Sequence, residues 1–140
     1  MTVIDASVAV KWFVEEAASD QARTLLETMQ GHLHVPDIFV VEVSSVLVRN
    51  ANSAKAEQSY YRAALWRMLD LIDRQALLLE RTSPGEVADA AGLALDLGHP
   101  LKDCIYLALA MKMGCELVTS DRRFAERALG KWSGIRVLEG

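Results

Sequence analysis

Five short strand-like segments alternate with helical stretches along this chain, and that alternation restricts the fold more than any other feature. Thr2-Val3-Ile4-Asp5 reads as a buried strand almost at the first residue. A helix follows near Ala6 or Ser7, with Val8, Trp12 and Phe13 turned inward. Ser19 and Asp20 signal a second helix, striped by Leu25, Leu26 and Met29 and closed at Gly31. Leu33-His34-Val35 is a second strand, ended by Pro36-Asp37. Phe39 to Asn52 and Lys55 to about Arg74 read as a helical hairpin around a polar turn, and Ala76 to Glu80 as a third strand. Ser83-Pro84-Gly85-Glu86 carries a serine N-cap, a proline at the first helical position and a glutamate to complete a capping box, so a helix runs from there to Leu97-Gly98. After Pro100 comes another helix, stopped by Gly114. Strand Glu116 to Thr119, a short helix from about Arg123 to Leu129, and strand Ile135 to Leu138 complete the pattern. Strands that alternate with helices imply a mostly parallel sheet covered on both faces, an α/β fold, with the functional crevice at the C-terminal ends of the strands.

Four acids stand against apolar sequence. Asp5 closes Val3-Ile4, Glu42 is embedded in Phe39-Val40-Val41-Glu42-Val43, Asp103 opens the apolar run Cys104 to Met111, and Asp121 follows Leu117-Val118-Thr119-Ser120. Carboxylates at the edge of a core are costly unless paired or bound to a cation. Hard divalent ions such as Mg²⁺ and Mn²⁺ prefer such oxygens and relieve their mutual repulsion, about 4 kcal/mol for a pair ~4 Å apart at an effective dielectric near 20. Each acid also has a plainer reading: Asp5 as a helix cap, Glu42 on a solvated face, Asp103 favoured by a helix dipole, Asp121 in a turn. Their joint occurrence at strand ends and helix starts is what suggests a metal-dependent hydrolase.

The formal net charge of −4 equals the contribution of those four acids, so no global positive field draws nucleic acid in. Cys104 and Cys115 show neither metal-ligand spacing nor a C-x-x-C, and Cys104 reads as a buried free thiol. No apolar stretch approaches the ~20 residues of a membrane span, and no basic leader precedes Asp5. A soluble, cytoplasmic protein without membrane association is expected.

The acids, in order and with their neighbours, resemble the PIN domain family and within it the VapC-type ribonuclease toxins of toxin–antitoxin pairs. Val3-Ile4-Asp5-Ala6-Ser7 is similar to the family's opening Asp-x-Ser/Thr. Glu42 falls in the third helix, Asp103-Cys104-Ile105-Tyr106-Leu107-Ala108 follows, and Thr119-Ser120-Asp121-Arg122-Arg123-Phe124 is similar to its Thr-x-Asp-x-x-Phe segment. The resemblance covers nearly the whole chain. It implies a three-layer α/β/α PIN-like domain over residues 1–140 with a protruding helical hairpin. It also implies a metal-binding and catalytic quartet of Asp5, Glu42, Asp103 and Asp121 holding one or two Mg²⁺ or Mn²⁺ ions. Ser7 and Thr119 would orient these carboxylates. An RNA substrate, a cognate antitoxin and a homodimer are the implied partners. Lys102, directly before Asp103, is a departure from the family's pattern.

Lys11, Lys102, Arg122 and Arg123 are candidates for RNA contact, with Arg49 behind them, although simple solvation is the default for any one basic side chain. Trp12 and Tyr61 lie on apolar stripes and read as core or interface. His32, His34 and His99 flank Gly or Pro turns at no ligand spacing, and no catalytic role is expected for them. Two other readings compete: a PIN nuclease that processes RNA without an antitoxin, and a non-catalytic PIN-like or receiver-like binding module. A receiver wants an adjacent acidic pair at the first strand, which Ile4-Asp5-Ala6 lacks.

Overall fold

The computed structural model describes residues 1–139. In chain order the elements are β1 (Thr2–Ile4), α1 (Ala6–Val10), α2 (Ser19–Thr28), β2 (Leu33–Pro36), α3 (Ile38–Ser53), a 3₁₀ turn (Lys55–Glu57), α4 (Gln58–Asp73), β3 (Leu77–Glu80), α5 (Pro84–Leu97), α6 (Leu101–Met113), β4 (Glu116–Thr119), α7 (Arg122–Ala128) and β5 (Ile135–Val137). The strands form one sheet in the order β3-β2-β1-β4-β5, and every pairing is parallel. Helices on both faces explain why β1 and β2 are buried along their full lengths, Thr2 and His34 included.

The chain builds outward from β1 in one direction through β2 and β3. It then crosses back to lay β4 and β5 on the other side. The switch point between β1 and β4 leaves a crevice at their C-terminal ends, because the connections leave in opposite directions there. Ile4 pairs with Val118 in that register, so Asp5 and the Thr119–Asp121 segment emerge side by side. The Asp5 amide donates to the Val118 carbonyl at 2.9 Å, extending the pairing by one bond beyond the last strand residue.

The hairpin of α3 and α4 forms as its apolar spacing requires. Phe39, Val43, Leu47 and Ala51 recur every four residues on α3, and Tyr61, Ala64, Met68 and Leu71 line the facing side of α4. Ser83 caps α5 by accepting from the Glu86 amide at 3.2 Å, with Pro84 at the first helical position. Gly98 ends α5 at φ 62°, a left-handed conformation that glycine adopts without steric penalty. Differences from the sequence reading are local. Asp5 lies just past β1, α3 begins one residue earlier at Ile38, a 3₁₀ turn precedes α4, and α7 begins at Arg122.

Candidate active site

Asp5 is the N-cap residue of α1 by position, but its carboxylate makes no capping bond. Its Oδ2 instead accepts from Thr119 Oγ1 at 2.8 Å and from Ser7 Oγ at 2.9 Å. The plain reading of Asp5 as a helix cap therefore fails. The two hydroxyls are themselves fixed, since Ser7 Oγ accepts from the Ser120 amide at 3.1 Å and Thr119 Oγ1 from the Asp121 amide at 3.1 Å. Both candidate supporting residues thus tie β1 to the turn after β4. Asp5 is only 4% exposed. Burial lifts its carboxyl from 3.8 to about 6, against the opposing pull of the Thr119 hydrogen bond, and the nearby charges of Asp103 and Glu42 push the same way.

Glu42 comes from the second turn of α3, with a side chain 16% exposed. Burial is the main cause that raises its carboxyl above the ordinary range, and Tyr106 and Lys102 oppose it. Its Oε1 is buried without a hydrogen-bond partner, and so is the Tyr106 hydroxyl beside it. Tyr106 is fully buried one helical turn along α6 from Asp103. Burial and then the Glu42 charge keep its phenol protonated. A solvated-face reading of Glu42 is ruled out. A buried carboxylate oxygen that makes no hydrogen bond, next to two further carboxylates, is the environment a divalent cation completes.

Asp103 lies in the first turn of α6, and Asp121 caps α7 by accepting from the Phe124 amide at 3.0 Å through Oδ1. Asp5, Ser7, Glu42, Lys102, Asp103 and Asp121 all line one cleft of about 380 Å³, closed on another side by Val10, Val41 and Arg49. The fold therefore gathers all four acids from four separate places in the chain. A larger cavity of about 600 Å³ between α5 and α6 is lined by none of the four.

Beside the cleft, among the described residues, a histidine joins two of the acids in a ligand-competent set. His99, Asp103 and Asp121 each offer a ligand atom within 4.8 Å of the others. His99 Nε2 stands 2.6 Å from Asp103 Oδ2. No catalytic role is expected for this ring from the sequence, yet it precedes Asp103 by four residues, one on either side of the Pro100 cap that opens α6. That offset in a capped turn was the available signal.

The basic candidates divide. Lys102 is exposed at the rim, its Nζ 4.0 Å from Glu42 Oε2. Arg123 is exposed two residues after Asp121. Lys11 is buried, and its amino group is held by the Ala17 carbonyl at 2.7 Å and Glu16 Oε1 at 3.1 Å. Arg122 pairs with Glu139. Cys104, directly after the third acid, faces the core as a free thiol that burial pushes up to about 11, so it is unreactive near neutral pH.

Residues 2–129 match the sequence profile of the PIN domain. Ribonuclease VapC3 of Pyrobaculum aerophilum is 34% identical over 129 residues, an alignment covering 89% of this chain and 92% of that protein. Among solved structures, PAE2754 from Pyrobaculum aerophilum superposes with a TM-score of 0.71 at 18% identity, over 98% of this chain and 88% of that one. A toxin–antitoxin complex from Klebsiella pneumoniae contains a similar chain, with a TM-score of 0.64 at 20% identity over 98% and 97% of the two chains. VapC20 of Mycobacterium tuberculosis, a sarcin-ricin loop cleaving toxin, gives 0.68 at 14% identity over 90% and 94%. At those identities the structures attest the fold, while the profile and the sequence relative attest descent. The chain belongs to the PIN domain family, among its VapC-type members.

Proposed function

We propose that this chain is a divalent-metal-dependent endoribonuclease that hydrolyses RNA phosphodiester bonds and serves as the toxin of a toxin–antitoxin pair. The observation that carries the proposal is the convergence of Asp5, Glu42, Asp103 and Asp121 in one cleft, with Glu42 Oε1 buried and making no hydrogen bond. These four carboxylates would hold one or two Mg²⁺ or Mn²⁺ ions. When bound, such an ion supplies Lewis acidity toward the phosphodiester and a more acidic water.

The chain's own residues do the rest. Ser7 and Thr119 engage one oxygen of Asp5 and leave the other for the cation. Glu42, raised by burial, is suited to take a proton from an attacking water. Lys102 at the rim and Arg49 in the cleft wall are placed to meet RNA phosphates, with Arg123 outside them. Lys11 and Arg122 would first have to leave Glu16 and Glu139. RNA binding then depends on a few local cations and the bound metal, consistent with the negative net charge.

The name of the Pyrobaculum relative and the Klebsiella complex support a ribonuclease with an antitoxin partner. An antitoxin would insert a basic side chain among the acids. Val48 on α3 and Trp66 on α4, the latter 72% exposed, support an apolar interface with a second copy. No helix among the described residues is long and apolar enough to cross a membrane. We place the protein in the cytoplasm, acting as one nuclease domain over residues 1–140.

The test is cleavage of total cellular RNA by purified protein with Mn²⁺ or Mg²⁺, with chelator, and with Asp103→Asn. Discrete fragments that require both metal and Asp103 are expected. Intact RNA under every metal condition, or fragments that persist with Asp103→Asn, contradicts the proposal.

A further inference from the structure

Each aspartate of the cleft has one oxygen tied down by the protein. Asp5 Oδ2 is held by Ser7 and Thr119, and Asp121 Oδ1 by the Phe124 amide. For Asp103 the only hydrogen-bond partner of its side chain, among the described residues, is His99. We propose that His99 is a positioning residue for the proposed metal site, locking Asp103 through an Arg127–His99–Asp103 relay built on the Phe124 ring. The inference rests on the nuclease reading above and adds to it a residue and a role.

The relay fixes which nitrogen carries the proton. Arg127 Nη1 donates to the Gly98 carbonyl at 2.9 Å and lies 3.3 Å from His99 Nδ1. A guanidinium has only donors, so Nδ1 is the acceptor in this contact and Nε2 is the nitrogen left to donate. Nε2–H then donates to Asp103 Oδ2 at 2.6 Å. In that state Nε2 has no lone pair for a cation. His99 therefore acts through Asp103, although it stands close enough to be mistaken for a ligand. Carboxylate ligands held in this way keep one oxygen aimed at the ion without losing rotational freedom on binding.

The ring is itself held. Its side chain is 6% exposed, and it stacks on Phe124 with centroids 4.8 Å apart and planes 21° from parallel. Phe124 is fully buried. Through its amide it fixes Asp121, and through its ring it supports the group that fixes Asp103. One residue of α7 thus sets the spacing of two proposed ligands.

The experiment follows the melting temperature through a Mn²⁺ titration in wild type, His99→Ala, His99→Gln and Arg127→Ala, with RNA cleavage measured in parallel. The shift in melting temperature reads metal binding without turnover. His99→Ala is expected to raise the Mn²⁺ concentration for half-maximal shift by about 10- to 100-fold. His99→Gln, whose amide can donate where Nε2–H did, recovers most of that loss. Arg127→Ala produces a smaller loss, since the tautomer is no longer held. A fall in metal-free melting temperature with unchanged Mn²⁺ half-saturation overturns the inference and leaves His99 a packing residue. Failure of His99→Gln to recover, with tighter metal binding by Arg127→Ala, overturns it in favour of direct ligation. A wild-type protein indifferent to Mn²⁺ would instead defeat the nuclease reading on which the inference stands.

Discussion

Asp5 shows how much a single buried carboxyl costs this fold. A rise from 3.8 to about 6 corresponds to about 3 kcal/mol favouring its protonated form in the native state. Between those values the native chain binds more protons than the unfolded chain, so stability falls as pH rises. Asp5's contribution is fully present below about pH 4 and is lost as pH passes 6. In metal-free buffer, Asp5→Asn is expected to melt higher than wild type at pH 7 by the equivalent of about 1–3 kcal/mol, and the difference should vanish near pH 4. Parallel unfolding curves at pH 4, 5.5 and 7 check this. A variant less stable than wild type at pH 7 would mean that Asp5 is retained for its hydrogen bonds to Ser7 and Thr119. The acids were legible at this scale because each interrupts apolar sequence, whereas His99 was not. A histidine between Gly98 and Pro100 looks like any turn residue until Arg127 and Phe124, far along the chain, arrive beside it.

The elements were legible where local chemistry sets them. Ser83 accepts from the Glu86 amide as the capping pattern requires, and Gly98 and Gly114 end their helices in left-handed conformations. Boundaries moved where tertiary contacts decide. Asp5 stays extended and donates its amide to Val118 before α1 begins at Ala6, and α2 begins after Ala18 in a left-handed conformation rather than on a side-chain cap. The structural caps can be separated from the functional ones. Ser83→Ala is expected to cost about 1 kcal/mol of stability while leaving metal response and RNA cleavage at wild-type levels. Thermal denaturation with a cleavage assay checks this. A loss of cleavage at temperatures where the variant is folded would place α5 in the functional machinery.

The whole molecule explains why four acids scattered across the chain become one site. The sheet order puts β1 at the centre with β4 beside it, and the reversal of winding opens the crevice where Asp5 and Asp121 emerge. Strand–helix alternation made the parallel sheet readable, but strand order depends on long-range pairing that no local pattern encodes. The cleft depth, the orphaned Glu42 oxygen and the division between engaged Lys11 and exposed Lys102 likewise arise only on folding. The most direct measurement is a Mn²⁺ titration followed by the electron paramagnetic resonance of the free ion, on wild type and on an Asp103→Asn/Asp121→Asn double variant. One or two ions bound per chain in wild type, with binding lost in the double variant while the fold persists, is the expected result. Free-ion signal undiminished by wild-type protein, or equal uptake by the double variant, would contradict a metal centre built from these carboxylates.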